Sequence, residues 1–304
     1  MNQPPPSGID TPLQEPGAAA PPPEKKKSDL GPRLITSAIG VPVILWLLFW
    51  APPAGFAILI GAAVVVATWE FLSMVTAGTN RVAQVITCVC ALALFAVLLL
   101  RSTPTTPPDG YEVMVTLAFS GLAIFITYLF TYRDLDKVSL HIGTSGMALI
   151  YCAVMPTTLA LLFRDGGDKG GLWVTMCMAV VWGSDTGAYF TGRAFGKHKL
   201  ASRVSPKKTV EGAVGGLLTS IAVVLMFKFT PLMPELELWQ VFALAVPANF
   251  LGQIGDLCES LIKRAHGVKD SGVIIYGHGG LLDRIDALIF AAPWFYVFQR
   301  YIAS

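Results

Sequence analysis

The sequence predicts an all-α integral membrane protein that crosses the bilayer several times. Hydrophobic residues make up 54% of its 304 residues and charged residues only 14%, against roughly 25% charged residues in a soluble domain. The mean hydropathy is +0.60. A chain of this length cannot bury so much apolar surface in an interior of its own, so lipid must cover part of it. The net charge of only +2 argues against a protein that coats nucleic acid.

Nine segments are long and apolar enough to cross a bilayer, which takes about 20 mostly apolar residues and at least roughly 17. They cover residues 34–50, 54–75, 82–100, 111–131, 143–163, 172–191, 210–229, 238–257 and 285–302. We therefore expect about nine transmembrane helices.

The chain divides into three regions by composition. Residues 1–32 are rich in proline and carry three consecutive lysines at 25–27. Such a composition cannot bury a core, so we predict a disordered cytoplasmic tail rather than a signal peptide. Residues 33–170 form the N-terminal membrane spans. Residues 171–304 form a catalytic membrane region that carries the candidate site on its cytoplasmic side.

Lysine and arginine predict the orientation, because loops on the cytoplasmic side of a membrane carry an excess of both. If the N-terminus is cytoplasmic, only five of the 22 basic residues fall outside. These five are Arg101, Arg164, Lys169, Lys228 and Arg300. The bias predicts a cytoplasmic N-terminus, an external C-terminus and a candidate site that faces the cytoplasm. Short loops and a compact chain favour a bacterial plasma membrane.

Cysteine and glycine add little that is specific. The five cysteines lie in or beside apolar segments, and an odd count there argues against a disulfide framework or a zinc cluster. Gly-x-x-x-Gly pairs occur at 183/187, 192/196 and 212/216, among other places. They leave two interpretations open, which are packing between helices of one chain and an oligomer face such as that of a homodimer.

Four carboxylates are expected to gather at the cytoplasmic ends of the spans. Asp185 lies towards the end of the sixth span, Asp256 at the end of the eighth, and Asp283 and Asp286 at the start of the ninth. A carboxylate within a membrane is costly unless it meets a cation or a water-filled cavity, so these residues mark a candidate site. Asp283 and Asp286 share one helix face. Their spacing is compatible with capping of the helix N-terminus and with binding of Mg²⁺.

Two basic clusters are expected on the same side as these acids. The first runs from Lys197 to Lys208 and the second combines Lys263-Arg264 with Lys269. Either cluster could set the topology, contact anionic lipid or bind phosphates. The nearby turn Gly277-His278-Gly279-Gly280 favours a site for polyphosphate and metal, because glycine lets backbone N–H groups approach an anion. His278 is either a hydrogen-bonding turn residue or a catalyst. Ser205-Pro206 predicts the N-cap and first position of a helix that aims its N–H groups at an anion.

The order of these residues resembles the signature of the phosphatidate cytidylyltransferases, also called CDP-diacylglycerol synthases. The matching run is Ser260-Leu-Ile-Lys263-Arg264, then Lys269-Asp270-x-Gly272, then His278-Gly279-Gly280-Leu281-x-Asp283-Arg284-Ile285-Asp286. The upstream stretches Ser184-Asp185-Thr186, Ser205-Pro-Lys-Lys-Thr-Val-Glu-Gly212 and Gly255-Asp256-Leu257-x-Glu259-Ser260 are similar as well. The resemblance covers roughly residues 170–290 in detail. One departure is Tyr276, where the family usually has proline or glycine.

This resemblance implies that CTP and phosphatidate react to give CDP-diacylglycerol and pyrophosphate, with Mg²⁺ required and a second cation left open. By likeness, Asp256, Asp283 and Asp286 are expected to border the metal. The expected catalytic residues are Asp256, Asp283, Asp286, Lys263 and Arg264, and the expected substrate contacts are Asp185, Lys207, Lys208, Lys269, His278, Gly279, Gly280 and Arg284.

Two other functions fit parts of the pattern. A secondary transporter could use the carboxylates to bind Na⁺ or relay protons, although such sites usually lie near the middle of the bilayer and between internal repeats. A CTP-dependent polyprenol kinase would use the same residue types but transfer the γ-phosphoryl group.

Overall fold

The computed structural model describes residues 30–103, 106, 109–272, 274 and 279–303. Within these ranges the chain forms ten α-helices and one hairpin of two short strands. The helices are α1 (Leu30–Phe49), α2 (Pro53–Val75), α3 (Arg81–Leu100), α4 (Gly110–Thr131), α5 (Val138–Ala148), α6 (Met155–Asp165), α7 (Gly170–Phe195), α8 (Val210–Phe229), α9 (Leu238–Ala265) and α10 (Leu282–Tyr301). The strands β1 (Lys199–Ala201) and β2 (Ser205–Thr209) lie between α7 and α8. A π-helical turn, Leu149–Val154, makes α5 and α6 one continuous helix.

Each of the nine apolar segments coincides with a helix, and α5 and α6 together correspond to one segment. Among the described residues, six helices are long and apolar enough to cross a membrane, namely α2, α3, α4, the continuous helix Val138–Asp165, α8 and α9. Helix α4 turns large apolar side chains outwards, including Phe119, Phe125 and Phe130, as expected of a surface that faces lipid. The prediction of a helical membrane protein is confirmed, while the count of nine crossings and the orientation remain predictions.

One apolar interior unites both halves of the chain. It includes Phe56 of α2, Leu94 of α3, Met176 of α7 and Phe295 and Phe298 of α10, all nearly or fully buried. The apolar core is therefore continuous across the predicted boundary at residue 170. The assignment of the site to the region after this boundary stays a prediction. The predicted disordered tail, residues 1–32, falls almost wholly outside the described residues.

The glycine pairs pack α7 against α8 within one chain. A Cβ atom added at Gly187 would lie 2.0 Å from Thr219 Oγ1, and one added at Gly212 would lie 2.8 Å from the carbonyl oxygen of Ala188. Because only hydrogen fits at such positions, the backbones of the two helices approach closely. Packing within the chain is thus the interpretation that the structure supports for these pairs, and the homodimer stays a prediction.

The prediction that a helix begins at Ser205-Pro206 is wrong. Residues Ser205–Thr209 form β2, which pairs antiparallel with β1, and α8 begins only at Val210. The side chain of Thr209 caps that helix by accepting a hydrogen bond from the N–H of Gly212 at 3.1 Å. Proline is tolerated in β2 because a two-stranded sheet has only edge strands.

Candidate active site

A cavity of about 400 Å³ opens where α7 ends, α8 begins and the β-hairpin packs beside α9. Its charged lining consists of two acids, Asp185 and Asp256, and three bases, Arg193, Lys207 and Lys208. Asp185 lies on α7, Asp256 on α9 and both lysines on β2. The structure therefore brings together four of the residues that the sequence predicted for the site.

Lys208 and Asp256 form an ion pair at the wall of this cavity. The Nζ atom of Lys208 donates a hydrogen bond to Asp256 Oδ2, and both side chains are 28% exposed. The pair is accessible from the cavity, so an anionic ligand can compete for the lysine. Lys207, on the same strand, is exposed and also lines the cavity.

A second charged cluster lies between α9 and α10 and is largely buried. Lys263 contacts Asp283 Oδ1 at 2.7 Å and also pairs with Glu259, one helical turn earlier on α9. The exposed fractions of these side chains are 11% for Lys263, 7% for Asp283 and 1% for Glu259. Two acids and one base therefore share this buried cluster. Among the described residues, none of these three side chains lines the cavity.

Asp283 anchors the loop that precedes α10. Its Oδ2 atom accepts hydrogen bonds from Ser271 N at 2.9 Å, Ser271 Oγ at 3.0 Å and Gly280 N at 3.0 Å. Asp283 lies in the first turn of α10 and accepts this bond from Gly280, which precedes the helix. The interpretation of the spacing as capping of the helix N-terminus therefore stays a prediction. Both carboxylate oxygens of Asp283 already have partners, so the metal-ligand assignment for this residue stays a prediction.

Asp286 links the two charged regions. It lies close enough to Asp256 and Asp185 for their charges to repel its own, and close enough to Lys263 to be attracted by it. Its Oδ1 atom accepts a hydrogen bond from Ala287 N at 2.8 Å. The charges of Asp185, Asp256 and Asp286 thus influence one another.

These three carboxylates suit Mg²⁺ by their chemistry. Within the described parts of the chain, no group of three or more His, Cys, Asp or Glu side chains is placed so that it could hold a metal ion by itself. Mg²⁺ does not need such a group, since it usually binds one or two carboxylates and completes its shell with water and substrate phosphates. The oxygen donors of Asp256, Asp286 and Asp185 therefore fit a magnesium–nucleotide complex better than a metal held by protein alone.

The other predicted contacts lie away from the cavity lining. Arg264 is exposed and donates a hydrogen bond to the carbonyl oxygen of Val268 at 3.3 Å. Lys269 and Arg284 are exposed as well. Their roles as phosphate contacts stay predictions.

The glycine-rich turn is described only in part. Gly279 has a φ of +83°, a backbone conformation that residues other than glycine rarely adopt. Gly280 is buried, and its N–H belongs to the Asp283 network. Tyr276 and His278 lie outside the described residues, so the two interpretations of His278 remain open.

A buried polar network beside the cavity was not predicted from the sequence. Asn249 Nδ2 donates to Ser184 Oγ at 2.6 Å and to Ser220 Oγ at 3.0 Å, so it joins α9 to α7 and α8. Gln253 Nε2 donates to Asn249 Oδ1 at 2.8 Å, and Gln253 also lines the cavity. The available signal was two amides one turn apart on one face of an otherwise apolar helix. Satisfied buried networks hold helices in one arrangement, so this network fixes the helices that carry Asp185 and Asp256.

The chain is similar to known proteins over most of its length. The model of the cytidylyltransferase family matches residues 31–302. The phosphatidate cytidylyltransferase of Bacillus subtilis is 31% identical over 276 residues, which cover 88% of this chain and 97% of that protein. The protein of the same name from Haemophilus influenzae is 28% identical over 283 residues, with 89% and 98% covered. A third, from Staphylococcus epidermidis, is 35% identical over 206 residues, with 67% and 75% covered.

These matches extend over the N-terminal spans as well as the signature, so they confirm the resemblance on which the functional expectation depended. Since the family model covers nearly the whole chain, the conclusion applies to the protein as a unit. The chain belongs to the cytidylyltransferase family.

Proposed function

We propose that this enzyme transfers the cytidylyl group of CTP to phosphatidate, which yields CDP-diacylglycerol and pyrophosphate. The observation that carries the proposal is that Lys207 and Lys208 share one cavity with Asp185 and Asp256. Such a cavity combines cations for a polyphosphate with carboxylates for its metal ion. The names of the relatives supply the identity of the two substrates.

The reaction needs no nucleophilic side chain. A phosphate oxygen of phosphatidate, already anionic at neutral pH, forms a new bond to the α-phosphorus of CTP. The bond from that phosphorus to the oxygen bridging the β-phosphate breaks, and pyrophosphate leaves with the electron pair. Catalysis then consists of orienting the two substrates and neutralising charge on the leaving group. Lys207 and Lys208 supply cations that can reach the phosphates from the cavity wall.

The carboxylates of Asp256, Asp286 and Asp185 would hold Mg²⁺ in this proposal. When bound, the ion neutralises phosphate charge and draws the triphosphate towards the acids. Asp283 and Lys263 stay in the proposal as residues that shape the site, because their hydrogen bonds hold the loop before α10 in place. Whether a second cation takes part is a question for the same metal-dependence experiments.

We place the cavity at the cytoplasmic face of a bacterial plasma membrane. The distribution of lysine and arginine supports this side, and the three bacterial relatives support the compartment. Phosphatidate is then recruited from the lipid and CTP from the cytoplasm. A cavity on that side would be accessible to both substrates.

The decisive experiment follows the α-phosphate of CTP. Purified protein in micelles containing phosphatidate receives Mg²⁺ and CTP labelled at that phosphorus. We expect the label in the lipid, with an equal amount of pyrophosphate released. Label that remains in CDP, with the lipid phosphorylated instead, would support a lipid kinase. Folded protein that turns over no CTP with any lipid would overturn the proposal and favour a transporter.

A further inference from the structure

Glu70 on α2 lies at the start of α10, far away in the sequence. Its side chain is almost fully buried, with 2% of the residue exposed. Its Oε1 atom accepts a hydrogen bond from Leu281 N at 3.0 Å, and its Oε2 atom accepts one from Leu282 N at 2.9 Å. One carboxylate therefore binds two successive backbone N–H groups of another helix.

This contact has a clear electrostatic basis. The first N–H groups of a helix have no partner within the helix, and the N-terminal end carries a partial positive charge. A buried carboxylate in turn needs hydrogen-bond donors to offset the loss of water. Glu70 and the N-terminus of α10 satisfy each other, so each makes the burial of the other tolerable.

Two glycines of the loop before α10 make room for the carboxylate. A Cβ atom added at Gly272 would lie 2.5 Å from Glu70 Oε1, and one added at Gly280 would lie 2.8 Å from Glu70 Oε2. Both glycines belong to the signature-like run that was noted in the sequence. The backbone of this loop is therefore fitted around Glu70.

The same loop leads into the first turns of α10, which carry two acidic residues of the site, Asp283 and Asp286. Gly280 donates its N–H to Asp283, and Asp283 in turn binds Lys263. Asp286, one turn further along α10, interacts with the charges of the cavity. A shift of the first turn of α10 would move both aspartates, so the position of Glu70 determines where these carboxylates lie.

We propose that Glu70 is a positioning residue for the transfer reaction and that α2 is a working part of the active site. Glu70 touches neither substrate in this proposal. It acts through the N–H groups of Leu281 and Leu282, which it holds so that Asp283 and Asp286 point correctly. The inference rests on the proposed function for its kinetic part, whereas its structural part can be tested without turnover.

The kinetic test compares Glu70→Gln with a matched control on the same helix. Glutamine keeps the size but loses the charge and presents an NH₂ group to one of the two N–H donors. We expect kcat to fall by about 10- to 100-fold, as for small misplacements of reacting groups. The KM for CTP should change little, because Lys207 and Lys208 are on another element. Glu70→Asp keeps the charge on a shorter side chain, so its kcat should lie in between.

The control is Thr68→Val. Thr68 is fully buried, two residues from Glu70, and among the described residues its hydroxyl donates to the carbonyl of Val64 in its own helix. We expect wild-type kcat from this variant. A folded Glu70→Gln enzyme with wild-type kcat would overturn the inference. So would equal losses in both variants, since these would indicate a general weakening of α2.

The second measurement is hydrogen–deuterium exchange in the wild-type protein, and it needs no variant to fold. The N–H groups of Leu281 and Leu282 should exchange slowly, although the first turn of a helix normally leaves such groups without partners. Glu70→Gln should speed exchange in the segment 279–283 more than elsewhere. Rapid exchange of both groups in folded wild type would refute the contact. If the wild type exchanges slowly but transfers no label from CTP, the proposed function fails while the Glu70 contact stands.

Discussion

Replacing Lys208 with alanine tests whether the cavity binds the phosphates of CTP. In the free enzyme this lysine pairs with Asp256 and is 28% exposed. The variant removes a cation from the cavity wall. It also leaves the carboxylate of Asp256 without its partner, and that charge then repels the triphosphate. Both effects weaken nucleotide binding.

The size of the effect follows from the accessibility of the pair. A hydrogen bond between charged groups contributes about 1.5–3 kcal/mol, and partial exposure to water favours the lower half of that range. Since about 1.4 kcal/mol corresponds to a factor of ten in affinity, we expect the dissociation constant for CTP to rise by about 10- to 30-fold.

The assay is equilibrium binding of labelled CTP in micelles that contain Mg²⁺, with initial rates of label transfer measured alongside. Lys199→Ala is the matched control. Lys199 lies on β1 of the same hairpin and is exposed, and it is absent from the cavity lining. The control should bind CTP almost as the wild type does. Unchanged affinity in Lys208→Ala would refute the reasoning, and equal losses in both variants would reduce it to a general effect of basic charge.

Three further predictions concern packing, the loop anchor and the metal. Gly187→Ala should lower the free energy of unfolding by about 1–3 kcal/mol, because the new Cβ would lie 2.0 Å from Thr219 Oγ1. The control Gly143→Ala should leave the free energy of unfolding unchanged, because none of the described residues lies within 4 Å of a Cβ added there. Similar melting temperatures for the two variants would contradict the close packing of α7 and α8. Asp283→Asn should lose most Mg²⁺-dependent turnover, because it removes the charge that faces Lys263; full turnover would disprove both the metal assignment and the anchoring role. EDTA should stop label transfer and added Mg²⁺ should restore it, whereas transfer that continues in EDTA would remove the need for a metal at the carboxylates.

The helices were predictable because each depends on one local property, a long apolar stretch. Every predicted segment lies on a helix, even where α7 and α10 carry too many polar residues to count as membrane spans by composition. The β-hairpin was not predictable in this way. Its strands are short and contain lysine and proline, so nothing in their composition indicates a sheet. They pair because α7 and α8 are packed so closely that the connecting segment must turn back on itself.

For the site, the sequence predicted which types of residue would lie near one another but not which pairs would be in contact. Lys208 and Asp256 are 48 residues apart in the sequence, and only the folded chain brings them into contact. Lys263 was expected to contact phosphate, yet it is buried between two acids. Glu70 was not among the site residues predicted from the sequence, and its partners are backbone N–H groups. Every residue except proline has a backbone N–H group, so a sequence pattern cannot show which of these groups bind a side chain.

The ion pair between Lys208 and Asp256 also affects which anions can bind to the free enzyme. A ligand that takes the lysine must first leave an aspartate without a counterion, in a neighbourhood that already holds Asp185 and Asp286. Chloride or a single phosphate gains too little from one ammonium group to offset that loss. A nucleoside triphosphate that arrives with its own divalent cation meets both halves of the pair at once, since its phosphates satisfy the lysine while its cation satisfies the acids. If the cavity works as proposed, the internal ion pair would favour a metal-bound nucleotide over small anions such as chloride or a single phosphate.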